Sequence, residues 1–244
     1  MVKGSRRPRT PPAPPASGVA ASARRGRKRN ADRTRARILS GAIAEFAAKG
    51  YSGARVDAIC RAARANPRML YHHFGDKDGL YLSVLEEVIG NLRREELKLA
   101  VDHVEPIDGM MQLFDFIHRH FGEHPELIHL LSGENLLRAR FLRRSAKAPI
   151  VTSPLIDLIA GLLGRGERAG VIRAGVDPLH VYVMMVALSY FHRSNAHTLS
   201  AIFRTDLLAP EWQLQHRYAA ADMLLAYLRP AARGRDAARA LPAK

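Results

Sequence analysis

The chain has 244 residues, 47% of them apolar and 25% charged, and carries a formal net charge of +15. That length and apolar fraction fit one or two globular domains with a real core, and they exclude a wholly disordered chain. A single cysteine, Cys60, excludes an internal disulfide and a multi-cysteine zinc site, and it fits a reducing cytoplasm, the expected location.

The chain opens on residues 1–30, rich in Pro, Ala, Ser and Arg, with Pro8, Pro11, Pro12, Pro14 and Pro15 close together. This composition predicts a disordered basic arm. Residues 1–37 hold twelve Lys/Arg against one acid, Asp32, so +11 of the +15 lies at this end. Such a field suits a polyanion. The arm reads either as a solvated tail or as a segment that follows phosphates or enters a minor groove. It lacks the apolar stretch of a secretory signal. The longest uncharged apolar run, residues 181–191, is too short to cross a bilayer, so no membrane partner is expected.

Residues 34–49 carry Ile38, Ala42, Ile43 and Phe46 at helical spacing and stop at Gly50, the residue type expected past a helix end. Residues 55–63 form a second, short helix with Val56, Ile59 and Cys60 inward. Ala63, Arg64 and Ala65 then lead to Asn66, which suits an N-cap, and to Pro67, which suits the first helical position. In the helix that follows, Leu70 and Phe74 point inward. Arg68, Met69, Tyr71, His72, His73 and Lys77 surround them with long, mostly polar tips. A helix of this length cannot stand alone in water, so the two before it must brace it. Helix, tight turn and helix, with a longer helix in front, is the plan of a helix-turn-helix DNA reader. Arg33, Arg35 and Arg37 at the start of the first helix, and Arg55 at the start of the second, oppose the helix dipoles. An external anion such as a DNA phosphate would satisfy them.

Residues 33–82 resemble the N-terminal domain of the TetR/AcrR family of bacterial transcriptional regulators. The residues that carry the resemblance are Arg37-Ile38-Leu39, Ala42, Phe46-Ala47, Lys49-Gly50-Tyr51, Val56, Ile59, Leu70-Tyr71-His72-His73-Phe74, Lys77 and Leu80. The resemblance implies that Arg68 and Met69 meet base edges, that Tyr71, His72 and His73 grip the backbone, and that Lys77 caps the next helix against a phosphate. Arg35, Arg55 and Asn66 complete the expected DNA-binding set. One position departs from the family: where it usually has Gly in the turn between the second and third helices, this chain has Arg64. A positive φ there would cost Arg roughly 1 kcal/mol relative to Gly.

Beyond the reader only helices are predicted. Asp76 caps one to about residue 100, with Leu80, Val84, Val88 and Leu92 on one face. Others are expected at 106–122, 125–142, 154–170, 178–195 and 210–228, with a short piece at 199–203. The fold class is therefore all-α with about nine helices. It divides into the arm at 1–30, a three-helix DNA-binding domain at 31–78, a helical part at 79–229 that the resemblance implies is a ligand-binding and dimerisation domain, and a disordered tail at 230–244. The resemblance implies a homodimer, with the helices at 177–195 and 210–228 as its face, acting on a palindromic operator. It also implies an unidentified small-molecule effector. Candidate effector contacts are His118, Phe121, His129, Glu134, Asn135, Tyr182, Ser189 and His192.

Two rival readings are weighed. His118, His120 and His124 lie in one segment, and the last two have a spacing that could share a metal, as in a metal-dependent enzyme. No acid follows in the spacing of a metallohydrolase, so no metal, cofactor or catalytic residue is expected. The basic leader would also suit a protein that coats DNA regardless of sequence. The sequence names neither operator nor effector, and it leans to a repressor by analogy alone.

Overall fold

The computed structural model describes residues 17–230, leaving out the side chains of residues 17–28, 102 and 150–153. Residues 1–16 and 231–244, which hold much of the expected arm and tail, lie outside the described residues. Among the described residues there are ten α-helices and no strand. They are α1 (Ser17–Gly53), α2 (Val56–Ala63), α3 (Pro67–Phe74), α4 (Lys77–Glu96), α5 (Pro106–Glu123), α6 (Pro125–Leu136), α7 (Lys147–Arg168), α8 (Pro178–Ser194), α9 (Ala196–Phe203) and α10 (Pro210–Leu228).

The first helix starts far earlier than expected. Residues 17–30, predicted to lack a fixed fold, are helical. After Pro15 no proline interrupts the chain until Pro67, and the intervening Ala and Arg residues are strong helix formers. Gly50 (φ 66°, ψ 177°) breaks α1 where the sequence expects its end, and one more turn follows before α2. Ile38, Ala42 and Phe46 are buried on the face that meets α2, α4 and α6.

Three other helices have bounds that differ from those expected. The helix predicted at 125–142 ends at Leu136, because the Glu134 carboxylate turns forward and accepts the backbone N–H groups of Phe141 (2.8 Å) and Leu142 (2.9 Å). Arg138 and Ala139 take positive φ to allow this. The helix predicted from 154 begins at Lys147, where Ser145 Oγ accepts the N–H groups of Lys147 (3.2 Å) and Ala148 (3.1 Å). Pro154 therefore lies inside α7 rather than at its start. The helix from Asp76 stops at Glu96 and gives way to two short 3-10 turns on either side of Ala100, which has a positive φ.

The buried side chains form one continuous cluster from Ile38 in α1 to Leu228 in α10. Helices α5, α7 and α8 pack on one another, α4 packs on α1 and α7, and α10 closes over α5 and α8. By length and composition α7 could cross a membrane. However, its Leu155, Ile159, Leu162 and Leu163 are buried in this core.

Candidate nucleic-acid interface

The short helix α3 is fixed at both ends. Asn66 Oδ1 accepts the Met69 N–H at 2.8 Å, and Pro67 follows as the first helical residue. At the other end Gly75 (φ 79°) turns the chain, and Asp76 Oδ1 caps α4 by accepting the Gly79 N–H at 2.7 Å. Leu70 and Phe74 are buried against α1, α2 and α4. The opposite face carries the exposed side chains of Arg68, Tyr71 and His72, with Met69 and His73 half-buried at its edges. Burial, with His72 next in effect, holds the His73 imidazole below its usual pKa range.

The turn between α2 and α3 settles the question raised by Arg64. Its φ of 48° and ψ of 46° are left-handed, and the N–H of Ala65 returns to the Cys60 carbonyl at 3.0 Å. Arg64→Gly is therefore expected to stabilise the fold by up to about 1 kcal/mol, part of the relief being offset by the freer unfolded chain. A urea titration would register this as a raised midpoint. A lowered midpoint would mean that the guanidinium itself supports the turn.

The remaining expected DNA residues surround this face. Arg55 is exposed at the start of α2, its N–H held by Glu45 Oε1 from α1 at 3.1 Å. Arg35 is exposed, with its guanidinium 5.1 Å from the Phe74 ring centre. Lys77 is engaged within the chain: Nζ donates to the Ala54 carbonyl at 2.7 Å and lies 4.9 Å from the Tyr51 ring centre. Next to it the Tyr51 hydroxyl donates to Asp78, which also faces Arg144 at 3.4 Å and Arg140 at 3.8 Å. The Tyr51 ring joins Phe46, Tyr81 and Phe141 in an aromatic cluster, with Phe141 centred 4.7 Å from Tyr51 and 4.8 Å from Tyr81. The chain after α6 thus rests directly on the brace behind the reader. Sequence reasoning missed this link, because its partners lie far apart along the chain.

The expected effector residues scatter. Phe121 and Tyr182 line a cavity of about 290 Å³ between α4, α5, α6, α7 and α8. His192 lines a cleft of about 420 Å³ between α8, α9 and α10, with Trp212 and His216. His118 stacks behind it, 5.5 Å from the His192 ring, and burial pushes these two imidazoles down to about 4 and about 3. Ser189 is fully buried on the same helix as His192. Glu134 serves the backbone as described. His129 and Asn135 are exposed on α6 and line neither cavity. Arg93, which lines the smaller cavity, was not among the expected residues.

The three histidines of the enzyme reading do not converge. His118 turns toward α8 and α10, whereas the His120 ring lies tilted beside that of His124 with ring centres 4.2 Å apart. Among the described residues no group of three or more His, Cys, Asp or Glu is placed to hold a metal.

Known proteins agree with this architecture. The profile for bacterial regulatory proteins of the tetR family matches residues 38–84, and that for the tetracyclin repressor-like C-terminal domain matches residues 106–224. The chain is 34% identical over 181 residues to the HTH-type transcriptional repressor NicS of Pseudomonas putida, a match covering 74% of this chain and 85% of that one. It is 29% identical over 167 residues to the HTH-type transcriptional activator FasR of Mycolicibacterium smegmatis, covering 65% and 74%. Among solved structures, a TetR transcriptional regulator from Chloroflexus aurantiacus shares the fold with a TM-score of 0.59 at 20% identity, covering 83% of this chain and all (100%) of that one. The matched profiles span both the braced reader and the helices behind it, so this chain belongs to the TetR family of DNA-binding bacterial transcriptional regulators.

Proposed function

We propose that the protein is a homodimeric, cytoplasmic repressor that binds a palindromic operator and releases it when a small molecule occupies the helices behind the reader. The observation that carries this reading is the outward face of α3, exposed and cationic on a helix whose other face is fully braced. Arg68 and Met69 meet base edges. Tyr71, His72, His73, Arg35 and Arg55 meet the sugar-phosphate backbone, and Asn66 holds the helix that presents them. Residues 31–78 act as the reader and 79–229 as the effector and dimer domain, while the basic arm adds phosphate contacts that carry no sequence information.

The dimer reading is supported by an apolar face that this chain leaves open. Leu179, Val183 and Phe191 on α8, and Leu214, Tyr218 and Met223 on α10, are about half exposed or more. An exposed apolar patch of this kind marks an interface, and a two-fold reader needs two half-sites. The repressor sense follows the name of NicS; the name of FasR marks the alternative. Footprinting on the DNA upstream of the protein's own gene tests the whole reading. The expected result is two protected half-sites about one helical turn apart. Protection spread evenly along any duplex would favour the coating protein instead.

Lys77 contributes to all duplexes alike. Lys77→Ala removes both the tie to Ala54 and a charge near the backbone, so affinity for operator and random DNA is expected to fall together, roughly tenfold. Titrating both duplexes at one salt concentration measures this. A loss confined to the operator would move Lys77 into the base-reading set.

A further inference from the structure

The cavity between α4, α5, α6, α7 and α8 is lined by Leu92, Phe121, Leu127, Leu131, Val186 and the half-exposed Val183, with Arg93 and Tyr182 as its polar groups. At about 290 Å³ it lies at the lower limit of ligand pockets, which run from roughly 300 to 1,000 Å³, so it suits a single ring or a short chain. Arg93 is only 9% exposed. Its Nη1 donates to Glu96 Oε2 at 2.5 Å, and its guanidinium lies 4.8 Å from the Tyr182 ring centre. Its Nε is buried and has no hydrogen-bond partner among the described residues. A buried guanidinium edge left without an acceptor is costly, and an oxygen pair in the plane of that edge is its best match.

We propose that this cavity binds a small apolar monocarboxylate, its ring or chain among the leucines and its carboxylate on the guanidinium of Arg93. The proposal rests on the effector reading above and adds the chemical class. A cation would be repelled by Arg93. A phosphate dianion would need more than the one cation that lines the cavity. A neutral amide would fill the space but forgo the charge-assisted pair. Glu96 does not oppose the anion strongly: burial pushes its carboxyl up to about 7, so it is the group able to take up a proton when a second carboxylate arrives. Burial also holds the Tyr182 hydroxyl protonated beside Arg93 and Glu96. The larger cleft between α8, α9 and α10 is a weaker candidate for an anion, because neither lysine nor arginine is among the residues that line it.

The test uses the full chain and matched probes: benzoate, phenylacetate and hexanoate, each beside its primary amide. The Nε–H resonance of Arg93 is followed by NMR, assigned by its loss in Arg93→Lys. At least one carboxylate at millimolar concentration is expected to shift that resonance and to bind about tenfold more tightly than its amide. Because Arg93→Gln alone strands Glu96 and could unfold the chain, the double variant Arg93→Gln with Glu96→Gln removes both charges together. It is expected to keep its helical circular dichroism and to lose the preference for carboxylate over amide. The proposal is overturned if no carboxylate moves the Arg93 signal, if amides bind as well as acids, or if the double variant keeps the preference. Binding to the duplex upstream of the gene is measured on the same samples. A chain that binds this duplex but ignores every carboxylate overturns the ligand class alone. A chain that ignores the duplex overturns the repressor reading.

Discussion

Replacing Phe141 by alanine is expected to cost about 3–5 kcal/mol of folding stability, a fall in melting temperature on the order of 10 °C. The side chain is fully buried and meets Tyr51 and Tyr81 in the aromatic cluster behind the reader. Truncation leaves a cavity against two rings whose positions are fixed by other bonds: Tyr51 through Asp78, and the Phe141 backbone through Glu134. Neither can collapse into the space freely, so the cavity persists and the cost stays high. Leu136→Ala, six residues from the end of the same segment and 86% exposed, serves as the control and is expected to change stability by no more than about 0.5 kcal/mol. Calorimetry on both variants decides the matter. A Phe141→Ala cost no larger than the control would mean that the cluster does not bind the two halves of the chain together.

Arg68→Ala is expected to leave stability almost untouched while lowering the preference for operator over random duplex by about 1–3 kcal/mol, or roughly 5- to 150-fold. Arg68 is exposed on the outward face of α3, and the helix is held by Asn66, Pro67, Leu70 and Phe74 rather than by the arginine. Its guanidinium can donate two parallel hydrogen bonds to guanine O6 and N7, a contact that alanine cannot replace. Both affinities must be measured at one salt concentration, since the phosphate contribution falls steeply with salt. If the ratio is unchanged, base reading belongs to other residues of the face.

The reader was largely legible from sequence because its signals are local. Asn66, Pro67 and Gly50 act through backbone groups within a few residues, and the inward stripe of Leu70 and Phe74 needs only helical periodicity. The conditional cost at Arg64 was also readable, since it depends on one φ angle. Elsewhere the local rules misled. Pro154 has the look of a helix start, yet α7 begins at Lys147, seven residues earlier, where Ser145 accepts the first backbone N–H groups. Residues 125–142 keep a helical pattern throughout, yet Glu134 draws the backbone of Phe141 and Leu142 into a turn. The basic leader looked unstructured as far as residue 30, yet its alanines and arginines extend α1 back to Ser17.

By itself the sequence determined that the chain is all-helical, that a capped eight-residue rod presents Arg68, Tyr71 and His72 outward, and that the positive charge gathers at the same end. Each of these follows from residue type and spacing over a turn or two. Tertiary structure alone decided which charges are spent inside the molecule. Lys77 is held by a carbonyl 23 residues upstream, and Asp78 joins Tyr51 to arginines more than sixty residues away. Arg93 is only 9% exposed and lines a cavity whose walls come from α4 to α8. Periodicity tells which side of a helix is apolar, but the cost of burying a charge depends on neighbours brought close only when distant helices meet.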